Sequence, residues 1–233
     1  FAQNATQEMI QDDEYVVIGV DTGKKIHYTC GNKKGLFYYD TATDYDEIRA
    51  LLHRWPHSFV VCDQGGDLIG PRQLRDEFPG RVFLCTYKES EGKTLQLIKW
   101  GDKDEEGHVV ADRDRVIQLV VDEFTDGRIP IEGSASEWEQ YFAHWSNLTR
   151  VKEENTRGII KKRWVRSGDD HWAHATVYWR IGMSRLTHDE GATIGNDDWT
   201  KELPQAEDVG LDGTVVAPDP RTKFKLPSDD DVL

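Results

Sequence analysis

Two short apolar runs in this chain stop on an aspartate. Val16-Val17-Ile18-Gly19-Val20 runs into Asp21, and Ser58-Phe59-Val60-Val61-Cys62 runs into Asp63. Both runs have the length and β-branched content of buried strands. An acid at the end of a buried strand is costly to desolvate without a partner. One such acid reads equally well as the cap of the turn or helix that follows. Two at the same edge of one sheet would repel each other, and a divalent cation is the usual remedy. A third piece, Ser167-Gly168-Asp169-Asp170-His171-Trp172-Ala173-His174, opens the last helix. On a period of about 3.6 residues, Asp170 shares a stripe with Ala173, His174, Val177 and Ile181, the stripe expected to pack on the sheet. Asp169 lies roughly 100° round the helix, where an N-cap or first-turn role is the natural one. His174, one turn beyond Asp170, is a candidate second-shell donor or ligand, set against the ordinary core or surface histidine.

Asp21, Asp63 and Asp170 thus form a candidate all-carboxylate cluster, with Asp169 next in line for the third place. Oxygen-only sites suit Mg²⁺ or Mn²⁺ rather than zinc. Two such ions, about 3.5–4 Å apart, support an in-line displacement at phosphorus: one lowers the pKa of the attacking water, the other neutralises the leaving oxygen. Asp67 follows Asp63 by four residues. It faces the site or, more simply, caps the next helix.

The elements that must position these acids follow from the pattern. Residues 16–20, 27–30, 35–39, 58–62 and 81–87 read as strands, with Gly31-Asn32-Lys33-Lys34 as a hairpin turn. Residues 44–55 read as a helix, with Asp44 as N-cap and Glu47 as its capping-box partner. Further helices are expected over 68–78, 112–124, 136–148 and 169–186, and a strand or hairpin arm over 158–166. Three strands in hairpin order, then helix, strand, helix, strand, predict an α/β fold. Its mixed sheet starts antiparallel and finishes parallel, with helices packed on it and an auxiliary β-hairpin.

A basic segment precedes the Asp169-Asp170 pair. Lys152, Arg157, Lys161, Lys162, Arg163 and Arg166 are opposed there only by Glu153 and Glu154. A basic β-arm beside a metal site suits phosphate contact, with Arg157, Lys161, Lys162, Arg163 and Arg166 as candidates; the plain alternative is a solvated charged hairpin. Trp164 is read as core in preference to lying along a duplex, and Trp138 and Trp145 as core in preference to a base-stacking platform. Asp112-Arg113-Asp114-Arg115 reads as surface charge. His27, His53, His57, His108 and His144 lack ligand spacing.

Composition bounds the rest. The 233 residues carry a net charge of −14 and three cysteines. That is poor material for a disulfide framework or a zinc cluster and points to a reducing compartment. No apolar run of 18 residues or so is present, so no membrane span is expected. From His188 onward there are 12 acidic and four basic residues, and the stretch is rich in Pro, Gly and Asp. The expected divisions are a polar stretch over 1–14, a folded domain over 15–187 and an acidic tail over 188–233.

The segments VVIGVDTG, FVVCDQGGD and SGDDHWAHATVYW, in that order, resemble the C-terminal nuclease domain of the large terminase subunit of tailed double-stranded DNA bacteriophages. That family belongs to the ribonuclease H-like superfamily, and the resemblance covers residues 15–186. It implies a ribonuclease H-like fold and an endonuclease that cuts concatemeric viral double-stranded DNA during genome packaging, with two Mg²⁺ or Mn²⁺ ions per site. It implies that Asp21 bridges the ions, that Asp63 is the second acid, and that the third stands at the start of the last helix. Many members write that motif Asp-His-x-x-Asp. Here Asp170-His171-Trp172-Ala173-His174 replaces the later acid by His174, which leaves Asp170, then Asp169.

The family's other half is an ATPase motor. No Gly-x-x-x-x-Gly-Lys-Ser/Thr occurs here, so the chain is expected to be the nuclease domain alone, with residues 1–14 a remnant of the linker. The implied partners are double-stranded DNA, an N-terminal ATPase motor domain, the capsid portal and a small terminase subunit. The implied location is the host cell cytoplasm, at the assembling capsid. The competing readings are a junction resolvase or transposase of the same superfamily, a non-catalytic portal-docking module, and an actin- or sugar-kinase-like fragment. The last lacks its second Gly-rich hairpin and its adenosine motif.

Overall fold

The computed structural model describes residues 15–65, 69–88, 96–101, 107–154 and 160–189. β1 (Val16–Asp21) and β4 (Ser58–Asp63) pair in parallel at the middle of a seven-stranded sheet. β1 is buried along its whole length, which is why it reads as a continuous apolar run rather than an alternating one. β2 (Ile26–Asn32) and β3 (Gly35–Ala42) extend the sheet antiparallel on one side. β5 (Val82–Lys88) and β7 (His108–Asp112) extend it in parallel on the other, and β6 (Ile98–Trp100) closes the far edge antiparallel. The order is β3-β2-β1-β4-β5-β7-β6.

Helices cover both faces. α1 (Asp46–Arg54) and α2 (Gly70–Glu77) bring Ile48, Leu52 and Leu74 onto Ile18, Val60 and Leu84. α3 (Arg113–Thr125), α4 (Glu139–Ser146) and α5 (His171–Asp189) pack on the opposite face, against Val17, Phe59, Val61 and Phe83. β8 (Leu148–Glu154) and β9 (Ile160–Arg166) form a separate antiparallel hairpin. Mixed sheet, helices on both faces and a detached hairpin make up the expected ribonuclease H-like α/β architecture.

α5 lies directly on β1. Ala173, Val177 and Ile181 are fully buried, as the stripe predicted. The approach is close because Gly19 has no side chain: a Cβ there would stand 1.9 Å from the carbonyl oxygen of Ala175 and 2.3 Å from the amide nitrogen of Trp179. Farther along α5, Arg180 makes a two-pronged buried ion pair with Glu123 of α3, at 2.6 and 2.8 Å.

Several expectations are corrected. Two strands lie beyond the expected set: β7, five residues placed directly before a helix, continues the parallel order on β5, and β6 adds an antiparallel edge to it. The capping box at α1 does not form. Asp44 instead accepts from the amide of Asp46 in a local turn, and Glu47 is drawn to the sheet by the hydroxyl of Tyr28, at 2.7 Å. The first hairpin turn is shorter than expected, since Gly31 and Asn32 belong to β2. The span 136–148 divides into a 3-10 turn (Ala135–Trp138), capped reciprocally by Ser134 and Glu137, and α4. Asp112-Arg113-Asp114 is not surface charge. Asp112 is 4% exposed and caps α3, while Arg113 and Asp114 bond the backbone of Trp164. Residues 1–14 and 190–233, and with them the linker and most of the tail, lie outside the described residues, as do Asp67 and Arg157.

Candidate active site

The two-residue period of a strand decides which way the acids face. On β1, Val17 packs on the α5 side and Val16, Ile18 and Val20 on the other; on β4, Phe59 and Val61 pack on the α5 side. Asp21 and Asp63 continue the odd-numbered series, so both project from the carboxyl ends of their strands toward α5. β1 and β4 are in register at Val20 and Cys62, which sets the two acids side by side.

Asp21 is 8% exposed. Burial pushes its pKa above the ordinary carboxylate range, and the neighbouring Asp63 adds to that; His171 and His174 pull the other way. Nδ1 of His171 donates to Asp21 Oδ2 at 2.8 Å. That bond raises the pKa of the imidazole, so His171 holds its proton more tightly than a free histidine. Asp63 is half-buried and takes a long bond, 3.4 Å, from the hydroxyl of Thr22.

Asp170 stands just before α5, where its carbonyl accepts from the amide of His174 at 3.1 Å. The cap position therefore belongs to Asp170 and not to Asp169, because the helix starts at His171. The inward orientation expected of Asp170 is found: it is 3% exposed. Burial alone would raise its pKa, but the bond from His174 Nε2 at 3.3 Å, Arg166 and His171 outweigh it and hold the carboxyl below its ordinary value. Arg166 Nη1 is 4.0 Å away. Asp169 is exposed, and its carbonyl is held by the side chain of Asn147.

Three histidines cluster beside Asp21. The rings of His27 and His171 stack at 4.5 Å, with His144 at 5.6 Å from His27. His27 sits opposite Asp21 in the β1–β2 register. Burial, together with the charges of His171 and His144, pushes its pKa down to about 4.

The oxygen donors Asp21 and Asp63 have the chemistry for Mg²⁺ or Mn²⁺. Such ions are often held by one or two carboxylates, several waters and substrate phosphates. A cation would also relieve the desolvation and repulsion that raise the Asp21 pKa. Among the described residues, no group of three or more His, Cys, Asp or Glu stands close enough to hold one ion. The structure thus sets Asp21 and Asp63 side by side, while Asp170 has His174 and Arg166 as its partners, and the three acids do not form one ion-holding group among the described residues.

In the hairpin, Lys152 and Lys162 lie directly opposite each other and both are exposed. Arg163 pairs with Glu153 at 3.3 Å, and Arg166 is exposed. Lys161 lies on β9 opposite Glu153, and its side chain is outside the described residues. Trp164 is partly buried against the core, as expected.

Among solved structures, the chain is similar to the large terminase nuclease from the thermophilic phage G20c. The match has 12% identity and a TM-score of 0.47, and covers 72% of this chain and 82% of that one. The same nuclease with bound magnesium matches at 13% identity and a TM-score of 0.46, over 75% of this chain and 83% of that one. No family model and no curated protein sequence matches the chain.

Sequence reasoning missed two site residues. His171 lay inside a quoted motif, but its partner Asp21 is 150 residues away. Arg113 was taken for surface charge, yet its Nη2 is 3.4 Å from His174 Nε2. The alternation of acid and base at 112–115, starting directly at the end of a β-branched run, was the available signal.

Proposed function

We propose that this chain is a metal-dependent endodeoxyribonuclease domain that cuts double-stranded DNA, of the type that trims concatemeric viral genomes during packaging. The observation that carries this reading is the pair Asp21 and Asp63, side by side at parallel strand ends, with the first turn of α5 bonded to Asp21 through His171. In this reading Asp21 and Asp63 hold Mg²⁺ or Mn²⁺ together with the scissile phosphate, and Asp170 contributes from α5. Two ions, when bound, would supply a deprotonated water and a counter-charge for the leaving oxygen. The protein's own residues do the rest. Asp21 is desolvated by burial and held in orientation by the bond from His171. Asp170 is kept ionised by His174 and Arg166.

The basic hairpin supports the same reading. Like charges directly opposite on two strands are destabilising, and the exposed Lys152–Lys162 pair gains a counter-ion when a phosphate backbone lies across it. The packaging partners, an ATPase motor, a portal and a small terminase subunit, belong to this proposal, as does a place of action at the assembling capsid.

The test is a supercoiled plasmid assay. Cutting is expected with Mg²⁺ or Mn²⁺ and is expected to stop in excess EDTA. Asp21→Asn and Asp63→Asn, folded by thermal melt, are expected to lose at least about 100-fold in rate, a few kcal/mol of transition-state stabilisation. Full cutting in EDTA, or by Asp21→Asn, sinks the proposal. A protein that binds DNA and never cuts it would favour the docking-module reading.

A further inference from the structure

β9 is an edge strand of a two-stranded hairpin, so one side of its backbone has no strand to bond. At Trp164 the missing strand is replaced by two side chains. The amide of Trp164 donates to Asp114 Oδ1 at 3.0 Å, and its carbonyl accepts from Arg113 Nη1 at 2.8 Å. Both backbone groups of Trp164 therefore point away from β8, as they do at a non-hydrogen-bonded position of an antiparallel pair. Arg113 and Asp114 are bonded to each other at 3.2 Å and are largely buried. They form the first turn of α3, whose other face is fixed in the core by Val116, Ile117 and Val120.

The same guanidinium reaches the candidate site. Arg113 Nη2 stands 3.4 Å from His174 Nε2, and that nitrogen stands 3.3 Å from Asp170 Oδ2. Arg166, two residues beyond Trp164 on β9, approaches the other oxygen of Asp170. A guanidinium only donates, so the Nε2 that donates to Asp170 does not also accept from Arg113. Arg113 packs against the His174–Asp170 pair, and the direct approach of the hairpin to Asp170 is that of Arg166, at 4.0 Å.

We propose that Arg113 and Asp114 are positioning residues, a clamp that holds the basic hairpin against the His174–Asp170 pair so that phosphate contacts on β9 and the carboxylate keep one geometry. This rests on the nuclease reading of the site. Neither residue is placed on the DNA itself.

The sign of one effect separates the clamp from simple charge. Removing an acid near a DNA-binding surface strengthens binding if only the field matters. If Asp114 holds the hairpin, Asp114→Ala weakens binding instead. The expected loss is about tenfold, the usual scale for a hydrogen bond to a charged group. Asp114→Asn keeps the acceptor oxygen without the charge and is expected to bind as tightly as the parent or more so. The measurement is a titration of duplex DNA in EDTA with the full chain. It is paired with amide hydrogen exchange of Trp164 in the free protein, which is expected to speed up in Asp114→Ala and not in Asp114→Asn.

Tighter or unchanged binding by Asp114→Ala overturns the clamp. So does equal weakening by both variants, or unaltered exchange at Trp164. If Asp114→Ala fails to fold, Arg113→Lys decides: it keeps the charge but loses the fork that spans Trp164 and His174, and undiminished binding by it overturns the proposal. A parent protein that binds no DNA removes the nuclease reading, while the exchange at Trp164 still tests the clamp.

Discussion

Asp21 is an acid in a setting that disfavours its charge, and His171 is the neighbour that moderates it. His27, stacked on His171, carries a consequence for stability. It is neutral in the fold, with its pKa pushed down to about 4 from 6.5 by burial and by the charges of His171, His144 and Lys25. The unfolded chain therefore binds a proton more readily than the folded one between these values. The contribution of His27 is intact above about pH 6.5 and is lost as pH falls toward 4. His27→Gln is expected to flatten that part of the stability curve, measured by urea melts from pH 7.5 to 4.5.

The buried pair Arg180–Glu123 makes a second residue-level prediction. Arg180→Met leaves buried Glu123 with only its longer contact to the exposed Arg128, at 3.7 Å, and is expected to cost about 3 kcal/mol. The double variant Arg180→Met with Glu123→Leu is expected to recover most of that in denaturant melts. The inward facing of Asp170 was legible in the sequence because it follows from the helical period, and the place of Asp21 and Asp63 at strand ends because each closes an apolar run. The His171–Asp21 bond was not, because no local rule links residues so far apart in sequence.

At the scale of elements, the contact between β1 and α5 depends on Gly19. Its neighbours there are helix backbone atoms, which cannot swing aside as a side-chain tip can. Gly19→Ala is therefore expected to push α5 off the strand, costing about 1–3 kcal/mol or more by overpacking. It is also expected to loosen the His171–Asp21 bond, seen as a lower melting temperature together with impaired cutting.

For the hairpin, replacing Lys161, Lys162 and Arg163 by Ala is expected to weaken DNA binding uniformly across sequences and to flatten its salt dependence. A titration across salt that gives parallel lines for parent and variant would remove these residues from the interface. The central strands were legible because burial on both faces concentrates Val, Ile and Cys in them. β6 was not, since Ile98-Lys99-Trp100 is too short to display a period and forms only by pairing with β7. The capping box at α1 was misread because Tyr28, on a strand, competes for Glu47.

For the whole molecule, charge is the feature most readily altered. Residues 190–233 hold 11 acidic and four basic residues against a total net charge of −14. Deleting them is expected to raise the affinity for DNA at low salt and to change little at high salt, measured by the same titration. The acidic tail was read from composition, which reports solubility and field rather than structure.

The bond between Asp21 and His171 also sets an order in time. A ribosome adding about 5–20 residues per second delivers the last helix about 8–30 s after the first strand. Through that interval the nascent chain displays its first two acids without the element that completes their surroundings. Whatever chemistry Asp21 performs thus awaits near-complete synthesis of the domain. A chain that stalls or is clipped ahead of His171 is released with Asp21 lacking the imidazole that holds it.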